Sequence, residues 1–311
     1  MPDGAPFHAD LAGAPPGTAA HFADAGAARI RFACTQPGKR GIALILPGRT
    51  EYAEKYGEVM SRLAGMGFGC VVIDWRGQGL STRPPQGTGL GHVGDFAEYQ
   101  LDLAAVLVHP AVQAMPGPRV MFAHSMGGCI GWRALDSGLA VRAAVFSAPM
   151  WGLTLPLPLR LLGPLMARAA CALGLGARHA PGDGPGFYVL EQPFDGNLLT
   201  GDPERYGWMQ AHLRSRPELG LGGPSFAWAR AAFAEMAALA RTRPPALPVL
   251  GFLGGQEGIV SPAAIRARFA RLTDARLVEL AAARHEIWME RPAIREEVWR
   301  ETEGFLESVG I

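Results

Sequence analysis

Short apolar runs alternate along the chain with stretches in which apolar residues recur every three or four positions. ARIRFAC (28–34), IALILP (42–47), CVVIDW (70–75), VMFAHS (120–125), VRAAVFSAP (141–149), PVLGFLG (248–254) and ARLVEL (275–280) have the length and branched content of strands. Between them, helical spacing predicts helices over 52–66, where Val59, Leu63 and Met66 share a face, and over 96–108, 126–135, 226–240, 263–270 and 293–305. Strand–helix alternation of this kind predicts a mostly parallel sheet with helices on both faces.

The alternation lapses in two places. Residues 1–25 are rich in Gly, Ala and Pro and are expected to form a flexible N-terminal arm. Residues 150–223 carry Pro, Gly and Leu without clear strands, and are expected to form an inserted, mostly helical cap between two core segments, 26–149 and 224–311. The cap is leucine-rich, yet Pro156, Pro158, Arg160, Pro164 and Arg168 interrupt it, which argues against a spanning helix and leaves room for a greasy surface helix.

Composition narrows the function. The chain has 311 residues, 49% hydrophobic and 18% charged, which suits one catalytic-size domain with an insert. Lys+Arg number 29 and Asp+Glu 28, so no net field favours a polyanion and nucleic acid is not an expected partner. The only lysines are Lys39 and Lys55, and the arginines are scattered rather than clustered. Cys34, Cys70, Cys129 and Cys171 form no CxxC pair or metal-ligand spacing, in keeping with a reducing compartment. The opening MPDGAPFHADLAGAPPG is acidic where a signal peptide is basic and has no apolar segment, so a cytoplasmic location is expected.

The candidate chemistry begins at Ala123-His124-Ser125-Met126-Gly127, placed where an expected strand meets an expected helix. A serine on so tight a turn needs a small residue two positions before and two after it, because larger side chains would strike neighbouring backbone. In a chain with 41 glycines the motif alone is weak, and its place on the strand–helix junction gives it weight. A serine hydroxyl needs an imidazole base, and the base needs a carboxylate to orient it, in the chain order Ser, acid, His. Only His179, His212 and His285 follow Ser125, and the first two fall in the expected cap. His285 follows the last strand, in a loop before the final helix. Glu257, in the loop GGQEGIV after strand 248–254, is the expected acid. Its rival, Asp274, precedes the last strand and belongs at the opposite sheet edge.

Other motifs lack context. Gly89-Leu90-Gly91-His92-Val93-Gly94 spells GxGxxG but follows a Pro-rich loop rather than a strand. There is no P-loop, His285-Glu286 lacks the second histidine of a zincin, and Cys129 is expected to pack beneath the serine.

The whole pattern resembles the α/β-hydrolase superfamily, and within it the serine lipases of the monoacylglycerol lipase and bacterial lysophospholipase L2 type. The segments that carry the resemblance are LPGRTEYAEKY (46–56), DWRGQGLS (74–81), GHVGDFAEYQLDL (91–103), AHSMGG, FDGNLLTGDPERY (194–206), GGQEGIV and ARHEIWME. The resemblance implies a serine hydrolase of carboxylic esters, acting on single-chain lipid esters such as a lysophospholipid or monoacylglycerol, with Ser125, Glu257 and His285 as the triad. It implies an oxyanion hole from the backbone amides of Arg49 and Met126, no metal and no organic cofactor. Pro47 stands where the family usually has His, Ala123 where the elbow usually has Gly, and Glu257 where Asp is usual. Arg76 and Ser81 are expected to hold their loop, and Asn197, Thr200, Asp202, Arg205 and Tyr206 to cap and anchor the insert. The leucines of the cap fit a lid over an acyl chain and transient peripheral contact with a membrane. The alternatives are a general carboxylesterase or thioesterase, a carbon–carbon bond hydrolase or acyltransferase on the same fold, and a non-catalytic ligand-binding protein.

Overall fold

The apolar runs assemble into one nine-stranded sheet in a computed structural model that describes residues 4–85, 87–182, 184–243 and 246–311. Its strands are β1 (Gly4–Ala5), β2 (Ala19–Ala25), β3 (Ala28–Cys34), β4 (Gly41–Leu46), β5 (Phe68–Ile73), β6 (Arg119–His124), β7 (Ala143–Ser147), β8 (Val249–Gly254) and β9 (Ala275–Leu280). They lie in the order β1-β2-β3-β5-β4-β6-β7-β8-β9. The first three pairings are antiparallel and the rest parallel. All residues of β4, β5, β7 and β8 are buried, as befits parallel strands covered on both faces. The mostly exposed β9 closes one edge with charged residues such as Arg276 and Glu279, which protects an unpaired strand from further pairing.

The N-terminal segment differs from the flexible arm expected for residues 1–25. Residues 19–25 form β2, paired along its full length with β3 through a turn at Gly26, whose φ is +68°. Its Ala20, Ala23 and Ala25 are buried. Alanine favours strands weakly, so nothing in the composition marked this hairpin. The segment before it is also fastened: Arg31 donates to Pro6 O at 2.9 Å, and His212 Nε2 lies 3.0 Å from Leu11 O. Residues 1–3 lie outside the described residues.

Between β7 and the helix Phe226–Leu239 come the helices Leu157–Ala172, Tyr188–Glu191 and Pro203–Ser215. In the first, Pro158 sits in the opening turn, where its missing N–H costs nothing, although Pro164 lies inside. Gly163 faces the Phe233 ring of Phe226–Leu239, where a Cβ would be in ordinary contact with it at 3.4 Å. Asp202 caps Pro203–Ser215 by accepting from the amides of Glu204 and Arg205.

Strand order reverses at β4, which lies between β5 and β6. The loops leaving β4 and β6 therefore diverge from one edge of the sheet and open a crevice there, with Leu46 beside Ala123 in register. Both segments expected to carry chemistry, 47–51 and 124–127, leave the sheet at this edge.

Candidate active site

Strand β6 ends at His124 and the helix Met126–Asp136 begins one residue after Ser125, so Ser125 carries the whole turn. Its φ of 49° and ψ of −117° are strained for a residue with a Cβ. Neighbouring backbone holds it there: Ser125 N donates to Ser147 O at 3.0 Å, and Ser125 O accepts from Gly128 N and Met150 N. The small residue at the second position after the serine is required, because a Cβ on Gly127 would sit 2.0 Å from Leu46 O.

His285, in the loop after β9, places Nε2 2.9 Å from Ser125 Oγ. Its Nδ1 lies 2.8 Å from Glu257 Oε2, so Nδ1 donates to the carboxylate and Nε2 is left to accept from the serine. Glu257 comes from the loop after β8, and its Oε1 accepts from the amides of Ile259 and Val260 at 2.7 and 3.1 Å. Burial disfavours a charge at Glu257, but His285 and the two amides outweigh it and hold the carboxyl below its ordinary range. Asp274 lies at the other end of the sheet, where its carbonyl accepts from Val249 at the start of β8. The structure thus brings Ser125, Glu257 and His285 together and leaves Asp274 apart.

Arg49 and Met126 flank this group. Met126 is the first residue of the helix after the serine, and Arg49 lines the same cavity as Ser125 and His285. The loop before Arg49 abuts the elbow, since a Cβ on Gly48 would be 3.1 Å from Ser125 Cβ. The Arg49 guanidinium donates to Gly222 O and lies 5.3 Å from the Trp228 ring centre. The cavity has a volume of about 320 Å³ and apolar walls that include Phe187, Val189, Leu198, Leu213 and Trp228. A second, almost wholly apolar cavity of about 120 Å³ lies between Leu157–Ala172 and Phe226–Leu239, sharing Leu153, Pro224 and Trp228 with the first.

The loop residues expected to be structural are so. Arg76 pairs with Glu98 and Asp102 at 2.7 and 2.6 Å, and Ser81 Oγ donates to Asp74 O. In the insert, Asn197 accepts from the amides of Leu199 and Thr200, Thr200 Oγ1 donates to Met289 O, Tyr206 donates to Gln192 O, and Arg205 pairs with Glu58 of the core. The Thr200–Met289 bond ties this segment to the stretch that follows His285, and Glu286 N donates to Leu199 O at 2.7 Å beside it.

A charged cluster behind the serine was not anticipated. Lys55 Nζ lies 2.5 Å from Glu51 and 2.7 Å from Glu286, and Glu286 reaches His124 Nε2 at 3.5 Å. His124 Nδ1 donates to Ser147 O, and its ring centre lies 4.8 Å from that of His285. Burial opposes charge on Lys55, Glu286 and His124 alike, yet their mutual attraction prevails. Lys55 and His124 are raised, and Glu286 falls well below the ordinary carboxylate range. Glu51, His124 and Glu286 bring ligand-type atoms within 4.8 Å of one another, but the Lys55 ammonium already supplies the compensating cation to both carboxylates. The available sequence signal was Lys55 itself, one of two lysines in a chain whose other cations are all arginine.

A parallel sheet with helices on both faces, a serine on a strained strand–helix turn and a histidine loop after the last strand define an α/β-hydrolase. Residues 37–292 match the Hydrolase_4 family model, described as serine aminopeptidase, S33, and the chain belongs to that family. It is 32% identical over 266 residues to lysophospholipase L2 of Escherichia coli (strain K12), covering 81% of this chain and 76% of that protein. Over 111 residues it is 31% identical to the monoacylglycerol lipase of Mycolicibacterium smegmatis, covering 35% of this chain and 38% of the relative. The fold matches that of a soluble variant of the monoglyceride lipase of Saccharomyces cerevisiae with a TM-score of 0.72 at 21% identity, over 94% of this chain and 96% of that one. The protein is accordingly a carboxylic ester hydrolase of the lysophospholipase-like kind. No described helix is long and apolar enough to cross a membrane.

Proposed function

We propose that the chain hydrolyses single-chain lipid esters, a lysophospholipid or a monoacylglycerol, through an acyl-enzyme formed on Ser125. The observation that carries this reading is the Ser125–His285–Glu257 relay, at 2.9 and 2.8 Å, opening into an apolar cavity. Ser125 Oγ attacks the acyl carbonyl while His285 Nε2 takes its proton, and Glu257 stabilises the imidazolium that results. The tetrahedral oxyanion lies against the amides of Arg49 and Met126. Its collapse expels the alcohol, protonated by His285. Water, deprotonated by His285, then attacks the acyl-enzyme, and a second collapse releases the fatty acid and restores Ser125.

Two observations favour a lipid substrate. The two neighbouring cavities share Leu153, Pro224 and Trp228 and are walled mainly by apolar side chains, which suits an acyl chain. On the insert helix Leu157–Ala172, Leu161, Leu162 and Leu165 are each about 60% exposed, with Arg160 and Arg168 on the same helix. A lid with such a face makes transient peripheral contact with a lipid surface.

Labelling with a fluorophosphonate probe tests the nucleophile: wild type reacts and Ser125→Ala does not. Hydrolysis of monoacylglycerol against lysophosphatidylcholine then assigns the head group. Equal turnover of acetate and long-chain esters would leave a general carboxylesterase and remove the lipid part of the reading.

A further inference from the structure

We propose that Gln78 is a positioning residue that aims the Arg49 backbone N–H at the oxyanion, an inference that rests on the serine hydrolase reading above. Gln78 lies 3% exposed in the turn after β5, and its side-chain amide enters the loop that follows β4. Gln78 Nε2 donates to Gly48 O at 3.0 Å, and Gln78 Oε1 accepts from Thr50 N at 3.1 Å. One amide head thus engages the two peptide groups on either side of residue 49, a task that needs a donor and an acceptor on one rigid plane.

The consequence for Arg49 follows from peptide planarity. Gly48 C=O and Arg49 N–H belong to one trans peptide unit and point in opposite directions, so fixing the carbonyl toward Gln78 turns the N–H away from it. Arg49, Thr50 and Ser125 line the active-site cavity and Gln78 does not, which puts Gln78 behind the loop. Other side chains complete the clamp. Trp75 Nε1 donates to Pro47 O at 2.9 Å, and Glu51 accepts from Gly48 N. Thr50 is held at a φ of 67°, a conformation that a side-chain-bearing residue keeps only when its surroundings enforce it. The turn that carries Gln78 is stiff: Gln78 N donates to Trp75 O, Ser81 N donates to Gln78 O, and a Cβ on Gly79 would collide with the Asp74 carboxylate.

The test compares Gln78→Glu, which keeps the shape but replaces the donor to Gly48 O by an oxygen, with Gln78→Met, which removes both bonds at similar volume. Fold is checked by circular dichroism and thermal unfolding, and Ser125→Ala is run alongside. On a soluble p-nitrophenyl ester, kcat is expected to fall about 10- to 100-fold with KM changed less than about twofold. Affinity for a trifluoromethyl ketone, which reports the oxyanion site, is expected to fall with kcat; a purely structural defect would not make that split. A folded variant that keeps kcat within about threefold, or loses kcat with unchanged affinity for the ketone, overturns the proposal. An active wild type with an inert Ser125→Ala supports the underlying reading separately, so normal Gln78 variants then defeat the positioning role alone. An active Ser125→Ala defeats both.

Discussion

Glu257 meets His285 through one carboxylate oxygen only, at 2.8 Å, while its other oxygen is committed to the amides of Ile259 and Val260. The carboxylate is thus fixed by its own loop before it meets the imidazole, and the extra methylene of glutamate is taken up by that loop. Glu257→Gln retains the shape but presents a neutral amide to His285 Nδ1, which favours the wrong tautomer and leaves the imidazolium without a counter-charge. A fall in kcat of about 10⁴ is expected, as for the equivalent change in a serine protease triad. Asp274→Asn should leave turnover unchanged. Steady-state hydrolysis of a p-nitrophenyl ester by the two variants checks both outcomes, and loss of turnover in the Asp274 variant alone would reassign the acid.

His124 gives stability a pH dependence. Its ring is fully buried and faces Glu286, Glu51, Lys55, His285 and Ser147, and although burial opposes its charge, the two carboxylates raise its pKa. A raised histidine contributes stability that is fully present below its unfolded pKa of about 6.5 and is lost as pH rises through the folded value. Glu286 has the opposite sign: its depressed pKa contributes above the unfolded carboxylate value and is lost as pH falls through the folded one. Urea unfolding of wild type and His124→Gln between pH 5.5 and 9.5 should show a stability gap that is widest at the acid end of that range and narrows toward the alkaline end. A gap independent of pH would show that His124 has the same pKa folded as unfolded, so that the carboxylates do not raise it.

Arg31 on β3 reaches Glu54 and Asp74 at 2.7 and 2.6 Å, and all three side chains are fully buried. Arg31 links the N-terminal hairpin, the segment after β4 and the turn after β5, including the stretch that carries Gln78. Such a triad need not stabilise the fold relative to an apolar substitute, but removing one member leaves buried charge uncompensated. Arg31→Met should lose about 3–5 kcal/mol of unfolding free energy. Denaturant titration of the variant measures this, and a loss below about 1 kcal/mol would mean that water or rearrangement compensates the two acids.

Much of the site was legible because its parts are local patterns. The β6–Ser125–helix junction is a short apolar run followed by small residues, the His285 loop is the histidine after the last strand, and Glu257 follows an unbroken apolar strand. What escaped was either compositionally quiet or long-range. The β2 hairpin is built from alanines that look like linker, and the prolines of the leucine-rich stretch hide where the expected surface helix, Leu157–Ala172, begins and ends. Lys55 and Glu286 are 231 positions apart, and only the convergence of the β4 loop with the His285 loop brings them together. Gln78 carries no such signal, because its partners are backbone groups of another loop, which no side-chain pattern reveals.

The exposed leucines of the helix Leu157–Ala172 allow lipid contact to be tested apart from catalysis. Leu161, Leu162 and Leu165 point to solvent, whereas the cavity is walled by other residues. Replacing all three by serine should weaken sedimentation with phosphatidylcholine–phosphatidylglycerol vesicles several-fold while leaving hydrolysis of a soluble short-chain ester within about twofold of wild type. Unchanged sedimentation would place any lipid contact elsewhere on the molecule.

Gly127 concentrates the demands of the elbow in one atom. A Cβ there would lie 2.0 Å from Leu46 O and 2.6 Å from Pro47 O, both backbone atoms at the end of β4, where no flexible side chain can yield. Gly127→Ala must therefore push the helix Met126–Asp136 away from β4 or bend the segment 46–48. Either movement shifts Ser125 relative to the loop that carries Arg49. Overpacking of this kind costs about 1–3 kcal/mol in stability, and a displacement near 1 Å at a reacting centre can lower kcat about 100-fold. Thermal unfolding and ester hydrolysis of the variant should both show the damage, with the larger effect on kcat. Near-wild-type turnover would mean that the β4–elbow contact has slack, and that the small residue after the serine is not required by geometry.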